Sequence, residues 1–105
     1  MKYGLSLDNL ESIIEVLRKS ERIEKAVLFG SRAKGNYKPG SDIDIAVYGK
    51  NISFDDFLTL KLRLDELELL NKIDLVKFES IENPEFIDHI NRVGICIYQK
   101  ASNGR

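Results

Sequence analysis

The chain has 105 residues, 43% of them hydrophobic, which is enough to close one core and predicts a single domain over residues 1–105. Its 16 Lys and Arg against 17 Asp and Glu leave a formal charge of -1, without the basic excess that a nucleic-acid-coating surface needs. The one cysteine, Cys96, excludes an internal disulfide framework, and no apolar stretch approaches the roughly 18 residues of a membrane span, so a soluble cytoplasmic protein is expected.

Leu10, Ile13, Ile14 and Leu17 recur at helical spacing behind Asp8 and Glu11, which resemble a capping pair. That spacing predicts a first helix over residues 8–20. Residues 26–29 form a short continuous apolar run suited to a buried strand. Residues 31–35 can close one helical turn ended by glycine, and the turn-formers Asn36, Pro39, Gly40 and Ser41 predict a loop. Residues 42–47 read as the second strand. Ser53 and Asp56 predict a capped helix start, with Phe57, Leu60, Leu64 and Leu67 marking its buried side as far as Leu70. Residues 72–78 are the third predicted strand. Asn83 and Pro84 read as an N-cap and first-turn proline, with Phe86, Ile87 and Ile90 facing inward and Gly94 as the stop. Residues 95–98 make a last short strand, and 101–105 read as a frayed tail. The order αβ(turn)βαβαβ predicts an α/β (α+β) fold, a small mixed sheet backed by helices.

Within this order, one strand–turn–strand unit concentrates the chemistry. Strand alternation puts Asp42 and Asp44 on one face and Ile43 and Ile45 on the other, where helices must pack. Asp74 is the acid inside the apolar run Ile73-Asp74-Leu75-Val76, where a strand would otherwise want a hydrophobic residue. Three carboxylates drawn together repel unless a cation neutralises them, and one or two Mg²⁺ ions, which favour oxygen ligands, resolve the conflict. Upstream, Gly30 lets the backbone approach an anion, Ser31 offers a hydroxyl to a phosphate oxygen and Arg32 offers a planar fork. Together these parts suit a nucleoside triphosphate whose α-phosphorus faces the metal. A hydroxyl would attack there in line, with Asp74 helping to remove its proton.

Gly30-Ser31-Arg32-Ala33-Lys34-Gly35 followed by Asp42-Ile43-Asp44 resembles the signature of the DNA polymerase β-like nucleotidyltransferases, and most of all their smallest branch. These are the minimal nucleotidyltransferases (MNT), antitoxin partners of HEPN ribonuclease toxins. The resemblance spans essentially the whole chain and implies a polymerase β-like palm fold. It implies that Gly30 and Ser31 form the phosphate turn, that Asp42 and Asp44 bind metal, and that Asp74 is the third acid. It further implies two Mg²⁺ ions, ATP as substrate and transfer of AMP to a tyrosine of the toxin. Lys34 stands where many relatives have arginine, which keeps the charge but loses the bidentate geometry.

Plainer readings stand beside these. Arg32 could pair with a nearby acid, and Lys34 and Lys38 could be solvated loop charges. His89 reads as a surface residue, Cys96 as a small core residue, and Leu58, Leu62 and Leu69 fall off the main helical stripe and could meet a partner. Two other functions fit the same sequence. One is an antitoxin that silences its toxin by occlusion; the other is a small-molecule nucleotidyltransferase, which would need a dimer to wall its acceptor site. No direct nucleic-acid partner is expected.

Overall fold

Among the described residues four strands, β1 (Lys25–Phe29), β2 (Ile43–Tyr48), β3 (Ile73–Lys77) and β4 (Ile95–Gln99), form one sheet in the order β3-β2-β1-β4, with β1 antiparallel to both its neighbours and β2 parallel to β3. The computed structural model describes residues 1–101. The elements are α1 (Leu7–Arg18), β1 (Lys25–Phe29), α2 (Gly30–Lys34), β2 (Ile43–Tyr48), α3 (Phe54–Asp65), β3 (Ile73–Lys77), α4 (Pro84–Val93) and β4 (Ile95–Gln99), with a 3₁₀ turn at Phe78–Ser80. β1 and β2 are joined through the short α2 and a loop, whereas the parallel β2–β3 pair needs α3 as its crossover.

Strand alternation divides the core into two layers. Ala26, Leu28, Ile43, Ile45, Val47, Ile73 and Leu75 point to one face, where Leu10, Ile13 and Leu17 of α1 and Leu60 and Leu64 of α3 cover them. Val27, Phe29 and Ala46 point to the other face and pack on Ile90 of α4. Asp44 shares the parity of Ala46 and so belongs to this second face, near the beginning of β2.

Several boundaries differ from the sequence expectation. α1 is capped by Ser6, whose hydroxyl accepts the Asn9 amide, rather than by Asp8 with Glu11, and it ends at Arg18. β2 begins at Ile43, so Asp42 lies just before the strand. α3 has the expected reciprocal cap between Ser53 and Asp56. It stops at Asp65 rather than near Leu70, because the chain must double back to enter β3. There Glu68 adopts a left-handed φ of 53°, and Leu70 is left fully exposed. Asn83 caps α4 by accepting the Glu85 and Phe86 amides, and Gly94 ends it in an extended conformation. Cys96 is exposed on β4 rather than in the core. Of the expected tail 101–105, residues 102–105 lie outside the described residues.

Candidate active site

β1 runs directly from Phe29 into α2, which places Gly30 and Ser31 beside the beginning of β2. Gly30 has a φ of 73°, in the left-handed region, and a Cβ built on it would fall onto Oδ2 of Asp44. Glycine is therefore required for conformation and for close approach at once. No side chain caps the N-terminus of α2, so its first-turn amides keep their partial positive charge next to that carboxylate. Ser31 follows, half-buried.

Asp44 and Asp74 are register partners on the parallel pair β2–β3, so both side chains leave the same face on strands about 4.8 Å apart. Asp42, two residues upstream of Asp44 and just before the strand, is exposed, as is Asp74. The crowding shows in Asp44, whose pKa is raised from 3.8 to about 6. Burial is the largest cause, followed by the charges of Asp74 and then Asp42, with Arg32 opposing them. Phe29, the register partner of Asp44 on β1, supplies an apolar flank. Its ring meets Phe86 edge-on at 5.5 Å and His89 at 6.1 Å, so His89 is partly covered against Phe29 rather than a free surface residue.

This donor set fits Mg²⁺: it offers only hard carboxylate oxygens, and the like-charge crowding on Asp44 is what a divalent cation relieves. Among the described residues no three acidic, histidine or cysteine side chains stand as a group that could hold a metal ion, so Asp42, Asp44 and Asp74 do not yet converge as one. Water and substrate phosphate would complete the coordination, as Mg²⁺ commonly requires.

Arg32 is the correction to the expected site. It is 2% exposed, the sole charged side chain buried among the described residues. Its Nη1 donates to the carbonyl of Tyr3 at 3.0 Å and its Nη2 to the carbonyl of Ser41 at 2.9 Å. The fork expected to hold a phosphate is thus already used on backbone oxygens, and among the described residues Arg32 forms no ion pair with an acid either. Lys34 and Lys38 are exposed on the loop side of the turn. The sequence reading missed Tyr3, Gly4, Tyr37 and Ser41, all of which surround Arg32. Tyr3-Gly4 carried a turn signal, but nothing in the sequence paired it with a residue 29 positions away.

The sequence model of the family described as "Polymerase beta, Nucleotidyltransferase" matches residues 11–103. A candidate protein adenylyltransferase of Methanocaldococcus jannaschii is 39% identical over 88 residues, covering 74% of this chain and 87% of that protein. Among solved structures, a toxin–antitoxin complex with AMP-PNP superposes with a TM-score of 0.70 at 26% identity, over 88% of this chain and 74% of that one. A complex of tri-AMPylated Shewanella oneidensis HEPN toxin with its MNT antitoxin has the same fold: TM-score 0.64, 24% identity, 88% of this chain and 71% of that one.

Proposed function

We propose, from the premise that this chain belongs to the polymerase β nucleotidyltransferase family, that it moves AMP from ATP onto a tyrosine hydroxyl of a HEPN-type toxin in the cytoplasm and so silences it. The observation that carries this reading is the in-register pair Asp44 and Asp74, with Asp42 beside them and the Gly30 turn pressed against Asp44. Support for the acceptor class comes from the relative named as a protein adenylyltransferase and from the toxin–antitoxin neighbour that binds AMP-PNP.

Asp42, Asp44 and Asp74 would hold the metal, and bound Mg²⁺ would supply neutralisation of the triphosphate and of the attacking and departing oxygens. The first-turn amides at Gly30 and Ser31, with the Ser31 hydroxyl, orient the phosphates by donating to their oxygens. Asp74, which is exposed, takes the proton of the acceptor's hydroxyl. The acceptor oxygen forms its bond to the α-phosphorus as the bond to the pyrophosphate oxygen breaks, and pyrophosphate leaves.

A second reading, neutralisation by binding alone, draws on Phe54, Leu58 and Leu62, which stand exposed at i, i+4 and i+8 along α3. One experiment separates the two. Purified protein is incubated with α-labelled ATP, Mg²⁺ and a HEPN-type partner, beside Asp42→Asn and a variant with all three acids changed to Asn. Label on the partner from the native chain alone, with toxin freed in both variants, is the expected result. Neutralisation by the triple variant without any label would replace transfer with occlusion.

A further inference from the structure

We infer that Arg32 is a positioning residue, a buried latch that ties the turn at residues 2–5 to the loop delivering Asp42, so that this turn helps set the metal site. The inference rests on the nucleotidyltransferase reading for what the site does; the latch itself rests on geometry.

A buried guanidinium is costly unless its donors are used, and here two of them are aimed at carbonyls from distant parts of the chain. Nη1 reaches Tyr3 and Nη2 reaches Ser41, while the guanidinium lies 5.2 Å from the centre of the Tyr37 ring. Among the described residues Nε, also buried, has no partner. A lysine, with one ammonium at the end of a flexible stem, does not reproduce a planar two-point fork.

Both ends of the latch are built to receive it. On the N-terminal side, Lys2 and Leu5 exchange both backbone bonds, at 2.9 and 2.8 Å, around Tyr3 and Gly4 at φ 56° and 74°. That is the positive-φ geometry of a type I′ turn, and buried Leu5 anchors it in the core. Besides suiting this φ, Gly4 leaves room for the arginine: a Cβ on it would lie 2.5 Å from Nη1 of Arg32 and 2.9 Å from Cζ of Tyr37. At the other end the Ser41 amide donates to the Lys38 carbonyl at 2.9 Å, and the Lys38 amide donates to the Ser41 hydroxyl at 2.8 Å. The Asn71 side chain donates to the Pro39 carbonyl at 2.7 Å, which ties the same loop to the approach to β3. Asp42 is the next residue after Ser41 and lies just outside the strand. The Ile43 amide, donating to the Lys72 carbonyl at 2.8 Å, holds it from the strand side, and the grip on the Ser41 carbonyl holds it from the loop side.

A phosphate-binding arginine and a latch make opposite predictions. Three proteins are compared with the native chain: Arg32→Lys, Gly4→Ala and the double variant. The readouts are amide hydrogen exchange at residues 38–42, Mn²⁺ affinity by calorimetry without nucleotide, and KM for ATP in the transfer assay. Each single variant is expected to speed exchange in the loop and weaken Mn²⁺ binding about tenfold, with KM for ATP changed less than about twofold. The double variant is expected to be no worse than Arg32→Lys, because both changes release one contact. Should Arg32→Lys fail to fold, Gly4→Ala, which touches neither phosphate nor metal, reads the same loop. A KM for ATP raised about tenfold in Arg32→Lys with loop exchange and Mn²⁺ affinity unchanged would overturn the latch, as would native behaviour of Gly4→Ala. If the native chain neither binds Mn²⁺ nor transfers AMP, the nucleotidyltransferase reading fails, and the exchange comparison decides the latch by itself.

Discussion

Asp44 and Asp74 face the same way from adjacent parallel strands, paired residue for residue, with Asp44 the more buried of the two. The pairing concentrates negative charge where burial already disfavours it, and Asp44 holds its proton up to about pH 6 against 3.8 for an ordinary aspartate. Between those values the folded chain binds more protons than the unfolded one, so Asp44 makes the metal-free protein less stable as pH rises. The loss is absent below the unfolded pKa and complete above about 6. After discounting for the partial exposure of the group, it amounts to about 1–2 kcal/mol. Urea denaturation in EDTA should therefore show Asp44→Asn gaining on the native chain from pH 4.5 to 7. Saturating Mg²⁺ should reverse the order at pH 7, by stabilising the native chain alone. An identical pH dependence for the two proteins in EDTA would show that Asp44 is not crowded.

Asp74 offers the complementary test. It is exposed on the edge strand β3, so Asp74→Asn should change folding stability by no more than about 0.5 kcal/mol. It nevertheless removes one of the charges that hold Asp44 up, and the carboxyl expected to take the acceptor proton. Carboxyl NMR should show Asp44 titrating lower in the variant, while the transfer rate falls by about 10²–10⁴ with KM for ATP little changed. A full-rate Asp74→Asn protein would remove Asp74 from the chemistry.

At Gly30 the backbone and the site make one demand. Gly30→Ala places a side chain at a φ of 73°, which costs about 1–2 kcal/mol, and drives its methyl into the Asp44 carboxylate. The carboxylate must rotate away, so Mn²⁺ affinity should fall more steeply than stability. Thermal melts with and without Mn²⁺ separate the two effects. A variant that is merely less stable, with native metal affinity, would mean that Asp44 tolerates displacement.

Much of this was legible in the sequence because it is local. The period-2 run that follows Asp42 marked the strand carrying Asp44, and Asp74 stood out among apolar neighbours in a strand that pairs with it. Ser53 with Asp56, and Asn83 with Pro84, marked helix starts because caps are short-range chemistry. What was not legible depends on partners far along the chain. Arg32 beside a Gly-Ser turn looks like a phosphate ligand until Tyr3 and Ser41 arrive from either side to occupy its fork. Cys96 between two isoleucines looks like core, but β4 lies at the sheet edge, where alternate positions face solvent. Leu67 and Leu70 extend the apolar pattern of α3 past its true end, since periodicity does not register the reversal that β3 imposes.

The start of α3 supplies a destabilised protein with an intact site. Ser53 accepts the Asp56 amide and Asp56 accepts the Ser53 amide, each at 3.0 Å, and this box lies beyond the C-terminal end of β2, whereas Asp42 and Asp44 lie at its beginning. Ser53→Ala removes one bond of the pair and should cost about 1 kcal/mol, a loss visible as a lower midpoint in urea. Mn²⁺ affinity, loop exchange at residues 38–42 and KM for ATP should stay native, because nothing at the cap touches the Gly30 turn or the acids. A matched loss of stability in Gly30→Ala or Arg32→Lys accompanied by weakened metal binding then reports on the site and not on the fold. If Ser53→Ala weakened Mn²⁺ binding to the same degree, metal affinity would be following global stability, and the roles assigned to Gly30 and Arg32 would lose their support.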